Sequence, residues 1–528
     1  MSTSIPSMGP APTNRTRGGT NLTRRSLREL ARIYISAAAH ASALEVLSRL
    51  GDQVWDEETN LLRAESLLGL GRVPEAEALL GPVMIPLGLR NDTDHPVASD
   101  TIRPRWSVGS PKGSVTREDR LALWRFLLQL RVLHRTGRYR HVLGLGRAFF
   151  SARQSVPCIL VARIAAVVAQ SMLALRQPGE ARSLYEEVLE LYRDLRSPEG
   201  VADTLLGMAN TQLLDCHWDE ADALYQDARF RYEEMGQADK ALACLVNLGV
   251  LRVKRGDLTG GRALLQQALA RCGQVGDERR TSTVRLGLAL AEIRAGDFTA
   301  ARSRLVAALR RARRVNSLRD RALACEFLGQ MFLYQRRFGR ARIALGAGLK
   351  IAREIAPQGD VYFEIRRLQA DLAFAERRLG EARRLATEAQ TLALAYGDIY
   401  EAALADRVLA EIEAGEGRVD LALERVQRAR TVLGRLGETY ERARLELLAL
   451  RLELRREGLP VGRIRERLEE ACRPFHDHPD APILREARRL LVGSGREATG
   501  ASRSLGTVRA SRRRTSRERV PVQRAMDT

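Results

Sequence analysis

Small residues recur along the chain at intervals of 40 residues, with one interval of 41, and this regularity constrains the fold more than any other feature. Three such series run in step with one another. They are Ala181, Ala221, Gly261, Ala301, Ala341, Ala382 and Ala422; Ala169, Ala209, Gly249, Ala289, Gly329, Ala370 and Ala410; and Val188, Ala228, Ala268, Ala308, Gly348, Ala389 and Ala429. A repeat of this length with phased small positions predicts stacked units whose backbones approach closely at three places per unit.

Each repeat contains two helical segments joined by a short turn. Gly256, Gly296 and Gly417 stand where the first helix should end, and glycine supplies the left-handed residue that commonly ends a helix. Side-chain oxygens that could cap the second helix belong to Asp219, Asp257, Asp297, Thr259 and Thr299. The sequence therefore predicts an all-α fold, a right-handed α-solenoid of stacked antiparallel helix pairs.

The pattern divides the chain into five segments. Residues 1–25 are predicted to be a disordered N-terminal tail, and 26–157 to form degenerate helical repeats with a long loop at 86–115, where prolines and glycines concentrate. Residues 158–437 hold seven regular repeats. Capping helices are predicted for 438–492, and 493–528 is predicted to be a disordered, arginine- and serine-rich tail.

One repeat shows the pattern most fully, and it resembles the tetratricopeptide repeat (TPR). The residues that carry this resemblance are Leu245, Leu248, Gly249, Gly256, Gly261, Leu265 and Ala268. The usual TPR period is about 34 residues. The 40-residue period looks like the longer subtype of kinesin light chains and of the TPR regions of maltose-activator-like transcription regulators. The resemblance implies that the first helices line a concave groove that holds an extended peptide or a helix of a protein partner.

The phase of the repeats then gives a candidate groove floor, apolar in the earlier repeats and charged in the later ones. Its residues are Leu206, Asn210, Leu213, Val246, Val250, Val253, Leu286, Leu290, Ile293, Gln330, Leu333, Arg367 and Asp371, with Glu326, Arg407 and Glu411 at matching positions. One hypothesis is that an amphipathic helix or apolar peptide lies across Leu206–Ile293. The alternative is that these side chains bury against neighbouring helices or a folded-back cap.

The formal charge of +21 supports a second hypothesis about partners. Only four of the 86 basic residues are lysines, so arginine dominates. Two explanations for this bias are the base composition of the genome and a phosphate-binding surface. Residues 493–528 contain nine arginines and three acids. Weak, salt-sensitive contact of this tail with nucleic acid is therefore the alternative function. Within the repeats, arginine alternates with glutamate and aspartate, which is typical of a solvated helix face.

The motifs of common enzyme classes are missing from the sequence. It contains no P-loop, zinc-protease, nucleophile-elbow or kinase motif, and its six cysteines are scattered without metal-ligand spacing. The only histidine cluster, His476–Asp480, is interpreted as a solvated loop. We therefore predict no catalytic residue, cofactor or metal and no membrane contact. The protein is expected to be a cytoplasmic scaffold or adaptor in bacterial regulation or signalling.

Overall fold

The computed structural model describes residues 23–36, 39–50, 56–86, 116–151, 158–175, 177–275, 278–314, 317–356, 359–457 and 460–493. Every described element in these ranges is a helix, so the predicted all-α fold of stacked antiparallel helix pairs is confirmed. The chain divides into two compact units, Met1–Ser171 and Met172–Thr528. The predicted tails and the 86–115 loop lie almost entirely outside the described residues, although the first helix already begins at Arg24.

The first unit contains helices of 8 to 19 residues. They are α1 (Arg24–Ser36), α2 (His40–Ser48), α3 (Glu57–Gly69), α4 (Val73–Leu80), α5 (Arg117–Arg135), α6 (Tyr139–Ser151) and α7 (Ile159–Ala174), whose last turn passes into the second unit. Leu61 and Leu68 of α3 pack with Leu128 and Val132 of α5 in one apolar cluster. This cluster joins the two sides of the predicted loop within the first unit.

The second unit continues the helix pairs as a regular array. Its helices are α8 (Pro178–Asp194), α9 (Pro198–Leu214), α10 (Trp218–Glu234), α11 (Ala238–Arg255), α12 (Leu258–Val275), α13 (Glu278–Ala295), α14 (Phe298–Arg314), α15 (Leu318–Tyr334), α16 (Phe338–Ile355), α17 (Asp360–Ala375), α18 (Leu379–Ala395), α19 (Ile399–Gly415), α20 (Val419–Arg435), α21 (Tyr440–Glu457), α22 (Val461–Cys472) and α23 (Pro482–Gly493). A 3₁₀ turn, Arg473–Phe475, follows α22. From α9 to α20, each first helix packs against the second helix that follows it.

The phased small residues lie where helices approach most closely. Ala221, Ala301 and Ala382 are completely buried. A Cβ atom on Gly249 would lie 2.7 Å from Cγ of Leu265, and one on Gly261 would lie 2.9 Å from the backbone nitrogen of Val253. Larger side chains would force these helices apart, so the close approach predicted from the sequence is confirmed.

The turns inside the repeats follow the predicted chemistry in part. Gly256, Gly296 and Gly417 have φ values of 91°, 86° and 83°, in the left-handed region that favours glycine. Asp257 and Asp297 cap the following helices, since their Oδ1 atoms accept hydrogen bonds from the backbone N–H groups of Gly260 (2.8 Å) and Ala300 (3.0 Å).

Three other predicted caps are wrong, because their residues lie inside the helix. Asp219, Thr259 and Thr299 are the second residues of α10, α12 and α14. Asp219 instead forms an ion pair with Arg255 of the next repeat. The hydroxyl of Thr259 lies 3.2 Å from Nε2 of His478, so part of the histidine cluster packs on the array.

The C-terminal helices of the second unit contact its earlier repeats. The backbone N–H and the hydroxyl of Thr439, just before α21, both donate to the carbonyl oxygen of Arg255 at the end of α11, each at 2.9 Å. The rings of Trp218 and Tyr400 lie 5.1 Å apart, which joins the start of α10 to the start of α19. These contacts pack α19–α23 against the α9–α14 part of the same unit.

Candidate functional site

Five apolar residues of the predicted groove floor are buried in the array. Val246, Val253 and Leu290 belong to a cluster formed by α11, α12 and α13, and Leu286 and Ile293 belong to one formed by α13 to α17. In this conformation the side chains of these five residues contribute to helix packing rather than to an open surface. These five residues therefore follow the second hypothesis, in which the side chains bury against neighbouring helices.

The remaining uncharged members of the predicted floor are partly exposed. They are Leu206, Asn210, Leu213, Val250, Gln330 and Leu333. Leu206 and Leu213 pack at the edge of a cluster whose members come from α9–α11 and α19–α21. Oδ1 of Asn210 accepts hydrogen bonds from the Tyr225 hydroxyl (2.6 Å) and from the Asn247 amide (3.2 Å), which fixes its orientation between the two leucines.

The charged members of the floor form a buried ion-pair network. Arg367, itself buried, donates from Nε to Oε2 of Glu401 at 2.7 Å. Asp371 accepts from Nη2 of Arg407 at 2.9 Å, and Glu411 accepts from Nη1 of the same guanidinium at 3.0 Å. The structure thus brings together charges that the repeat phase placed on neighbouring first helices.

Two further members of this network were not predicted from the sequence. Glu401 belongs to the first turn of α19, and Glu441 lies at the start of α21 with Oε2 3.7 Å from Nε of Arg407. Burial alone would raise the pKa of Glu441, but Arg444, Arg407 and other nearby arginines outweigh it and lower the pKa to about 2. Glu401 follows Arg367 by 34 residues rather than by the 40-residue period, so the repeat phase gives no signal for this pair.

Other charged side chains pair across a spacing of one full repeat. Nζ of Lys240 lies 2.8 Å from Glu199, 41 residues earlier. Nη1 of Arg319 lies 2.9 Å from Asp360, also 41 residues away. These pairs join successive repeats, so the interpretation of the charges as a merely solvated helix face is incomplete. Exposed pairs of this kind each contribute little, about 0–1 kcal/mol, but they recur along the array.

A buried carboxyl beside the network should make stability depend on pH. Burial, and next the carboxylate of Glu401, raise the pKa of Glu326 to about 8 from an ordinary 4.5. The folded state therefore binds a proton that the unfolded state releases between these values. The free energy of unfolding should accordingly fall as pH rises from about 4.5 to 8.

We expect Glu326→Gln to flatten this pH dependence and to raise stability at pH 8–9, because glutamine resembles the protonated acid and cannot ionise. Urea denaturation at pH 5, 7 and 9 measures the effect. The control is Glu424→Gln, which removes an exposed carboxyl from α20 and should leave the slope unchanged. Equal pH profiles for wild type and Glu326→Gln would contradict the assignment.

A cavity of about 460 Å³ lies in the second unit between the end of α15, the start of α21 and α23. Leu333, one of the partly exposed floor residues, forms part of its wall together with Tyr334 and Tyr440. Burial raises the pKa of Tyr440 well above its ordinary value, so its hydroxyl stays protonated at neutral pH. Several arginines also line the wall of this cavity.

Four buried cysteines do not have the properties of nucleophiles. Burial raises the pKa of Cys216, Cys325 and Cys472 to about 11 and that of Cys244 to about 12. Their thiols remain protonated at neutral pH, whereas a reactive cysteine needs its thiolate.

In the part of the chain that the structure describes, no group of three or more histidine, cysteine or carboxylate side chains is placed to hold a metal ion. Among the same residues, none of the helices has the length and apolar character needed to cross a bilayer.

Comparison with known proteins finds a family match within the array. Residues 240–314 match the tetratricopeptide repeat model. A Rap protein crystallised with competence and sporulation factor has a TM-score of 0.53 and 13% identity, over 72% of this chain and 98% of that one. Aspartyl phosphate phosphatase F from Bacillus subtilis has a TM-score of 0.41 and 12% identity, over 72% of this chain and 96% of the other.

Yeast Tom70 aligns over 92% of both chains at 12% identity, with a TM-score of 0.34. Of these three structures only the Rap complex exceeds a TM-score of 0.5, and its likeness concerns the fold. A search among curated proteins gave no match. The family match shows tetratricopeptide repeats at α11–α14, and helix pairs of the same kind continue on both sides of it.

Proposed function

We propose that the protein is a non-enzymatic scaffold that binds a peptide or an amphipathic helix of a protein partner in its second unit. The repeat array supports this proposal, because its stacked helix pairs hold side chains from several first helices at fixed positions. The protonated cysteines and the buried, internally paired charges are also consistent with binding rather than catalysis.

The observation that carries the proposal is a strip of partly exposed apolar side chains on two neighbouring first helices. Leu206 and Leu213 of α9 and Val250 of α11 form this strip, which we call the α9–α11 strip. Asn210 lies between the leucines with its side-chain oxygen already bonded, so its amide nitrogen is oriented by those bonds. Apolar side chains beside an oriented amide provide the two kinds of contact that a bound helix or extended peptide uses.

The cellular role belongs to the same proposal. We place the protein in bacterial regulation or signalling, in the cytoplasm, as the resemblance to maltose-activator-like regulators implies. The six free cysteines are compatible with a reducing compartment. The alternative, nucleic-acid binding through the arginine-rich termini, concerns residues outside the described ranges. In the body of the chain, arginines such as Arg319 and Arg407 are engaged with carboxylates.

We expect the double variant Leu206→Gln/Leu213→Gln to weaken partner binding at least tenfold, because each leucine would lose its apolar contact with the partner. Fully burying a leucine side chain contributes about 1.5–3 kcal/mol, and a tenfold change in affinity corresponds to about 1.4 kcal/mol. The wild-type full chain is first used to capture a partner from cell extract. The partner is then identified by mass spectrometry and titrated as a purified protein against each variant.

The matched control is Ile343→Gln/Leu394→Gln, which changes two exposed apolar residues on the second helices α16 and α18. This control should bind as wild type does. Unfolding midpoints of both double variants are measured in parallel, so that lost binding can be separated from lost folding. Unchanged affinity in Leu206→Gln/Leu213→Gln would remove the α9–α11 strip from the proposal.

A further inference from the structure

The cavity between α15, α21 and α23 combines an apolar wall with a cationic one. Leu333, Ile483 and Leu490 supply the apolar side. The cationic side has four arginines, Arg444, Arg451, Arg485 and Arg489, against a single acid, Glu486. A volume of about 460 Å³ is within the usual range for a small-ligand site, about 300–1,000 Å³.

Two of the four arginines are already neutralised by the protein. Nη1 of Arg444 lies 3.0 Å from Oε2 of Glu441. Arg451 forms an ion pair with Glu486, which occupies the only acid of the wall. These two guanidinium groups therefore carry little uncompensated charge into the cavity.

The other two arginines lack a carboxylate. Among the described residues, neither Arg485 nor Arg489 has an acid within ion-pair distance. The guanidinium of Arg485 lies over the ring of Phe298 at 5.3 Å, and its Nε and Nη2 atoms are buried without a hydrogen-bond acceptor in the described part of the chain. Buried donors without partners are costly, so these two nitrogen atoms can bind an acceptor that enters the cavity.

The geometry selects the chemistry of that ligand. A planar guanidinium pairs with a planar carboxylate through two parallel hydrogen bonds. The adjoining leucine and isoleucine side chains favour an apolar group attached to the acid, which a free inorganic anion lacks. The protonated hydroxyl of Tyr440 can donate a further hydrogen bond to a carboxylate oxygen.

We propose that this cavity binds a carboxylate attached to an apolar group, held by Arg485 and Arg489. The carboxylate can come from the C-terminal residue of a peptide or from a free organic acid of the same chemistry. The peptide source rests on the proposed scaffold function, whereas the cavity itself does not. Arg489 is exposed at the cavity mouth and would meet the ligand first.

The test measures binding of small probes to the full chain. Each probe is titrated, and its binding is monitored by ligand-observed NMR. N-acetyl-leucine carries the free carboxylate, and N-acetyl-leucinamide has the same apolar body without the charge. The acid is expected to bind at least tenfold more tightly than the amide. Equal binding of the two probes, or displacement of the acid by inorganic phosphate at equal concentration, would overturn the proposal.

Variants then locate the site. Arg489→Gln should weaken binding of N-acetyl-leucine about tenfold or more, as expected for the loss of a charge-assisted hydrogen bond. The control Arg463→Gln removes the same charge from an exposed position on α22 and should bind as wild type does. Arg485→Gln is a second variant inside the cavity. If neither cavity variant differs from the control, the cavity is not the binding site and the inference is wrong.

Two further probes distinguish the sources of the carboxylate. The tripeptide acetyl-Ala-Ala-Leu, with a free C-terminus, represents the peptide source, and octanoate represents the organic acid. Tighter binding of the tripeptide assigns the site to a peptide end, and tighter binding of octanoate assigns it to a free acid. If carboxylate binding fails while the α9–α11 strip still controls partner binding, only this inference falls and the proposed function stands.

Discussion

Replacing Arg407 with methionine is expected to lower the free energy of unfolding by about 3–5 kcal/mol at neutral pH. Arg407 is almost completely buried and is among the largest such side chains in the described structure. Its guanidinium contacts Asp371 at 2.9 Å and Glu411 at 3.0 Å, with Glu441 at 3.7 Å. Methionine fills a similar volume, so the loss reflects buried carboxylates that are left without a cation rather than a cavity.

The pH dependence of the variant separates charge from packing. Burial raises the pKa of Glu411 even beside Arg407, and removing that cation should raise it further. A carboxyl with a raised folded-state pKa binds a proton on folding, so part of the lost stability should return as pH falls from 7 to 5. A packing defect would give a loss that does not change with pH.

The control for this prediction is Arg428→Met, which removes an exposed arginine 3.4 Å from Asp406 on α19, the first helix of the same repeat. Surface pairs contribute about 0–1 kcal/mol, so this variant should unfold almost as wild type does. Urea denaturation of both variants and of wild type at pH 5 and pH 7 gives the comparison. Similar losses for Arg407→Met and Arg428→Met would show that the buried network does not stabilise the second unit.

The fold was predictable from the sequence because its determinants are local and repeated. The positions of Gly249 and Gly261 could be predicted from the series alone, and each lies at a close helix contact. Gly256 and Gly296 likewise marked the ends of first helices and adopt the expected left-handed conformation. Asp219 is an exception, because it lies two residues beyond His217, the residue that precedes the first turn of α10.

The accessibility of the candidate groove could not be predicted in the same way. The repeat phase places Val253 and Ile293 on first helices, but their burial depends on how many neighbouring helices crowd each position. That crowding depends on the packing between successive repeats, which no single repeat encodes. Thr439 also contacts Arg255, 184 positions away, and nothing in the periodicity indicates this contact.

The cavity also arises from this long-range packing. Tyr334 ends α15, whereas Arg485 and Arg489 belong to α23, and the sequence gives no reason to place them together. The sequence predicts capping helices for 438–492, and charged residues of a terminal cap are expected at its solvated face. Glu438 and Glu441 are instead buried, and Arg294 from α13 lies 3.7 Å from Glu438. Charged residues in a terminal repeat therefore do not by themselves indicate a solvated surface.

The glycine that ends α13 gives a direct test of the contact between early and late repeats. Gly296→Ala should lower the free energy of unfolding by about 2–5 kcal/mol, from two causes. Alanine at a φ of 86° is strained by about 1–2 kcal/mol. Its Cβ atom would also overlap the backbone carbonyl of Asp480, and overpacking of this kind commonly costs about 1–3 kcal/mol more.

Gly417→Ala is the matched control, because Gly417 has nearly the same φ, 83°, but open space around the position of a Cβ atom. It should show the backbone strain alone. Urea denaturation measures the difference, and hydrogen exchange of the α23 amides shows where it arises. Exchange should accelerate in α23 for Gly296→Ala and not for Gly417→Ala, since only the first change displaces the backbone that leads into that helix. Equal losses for the two variants, with α23 equally protected in both, would mean that the late helices do not rest on the α13–α14 turn, and the cavity walled by α23 would lose its structural basis.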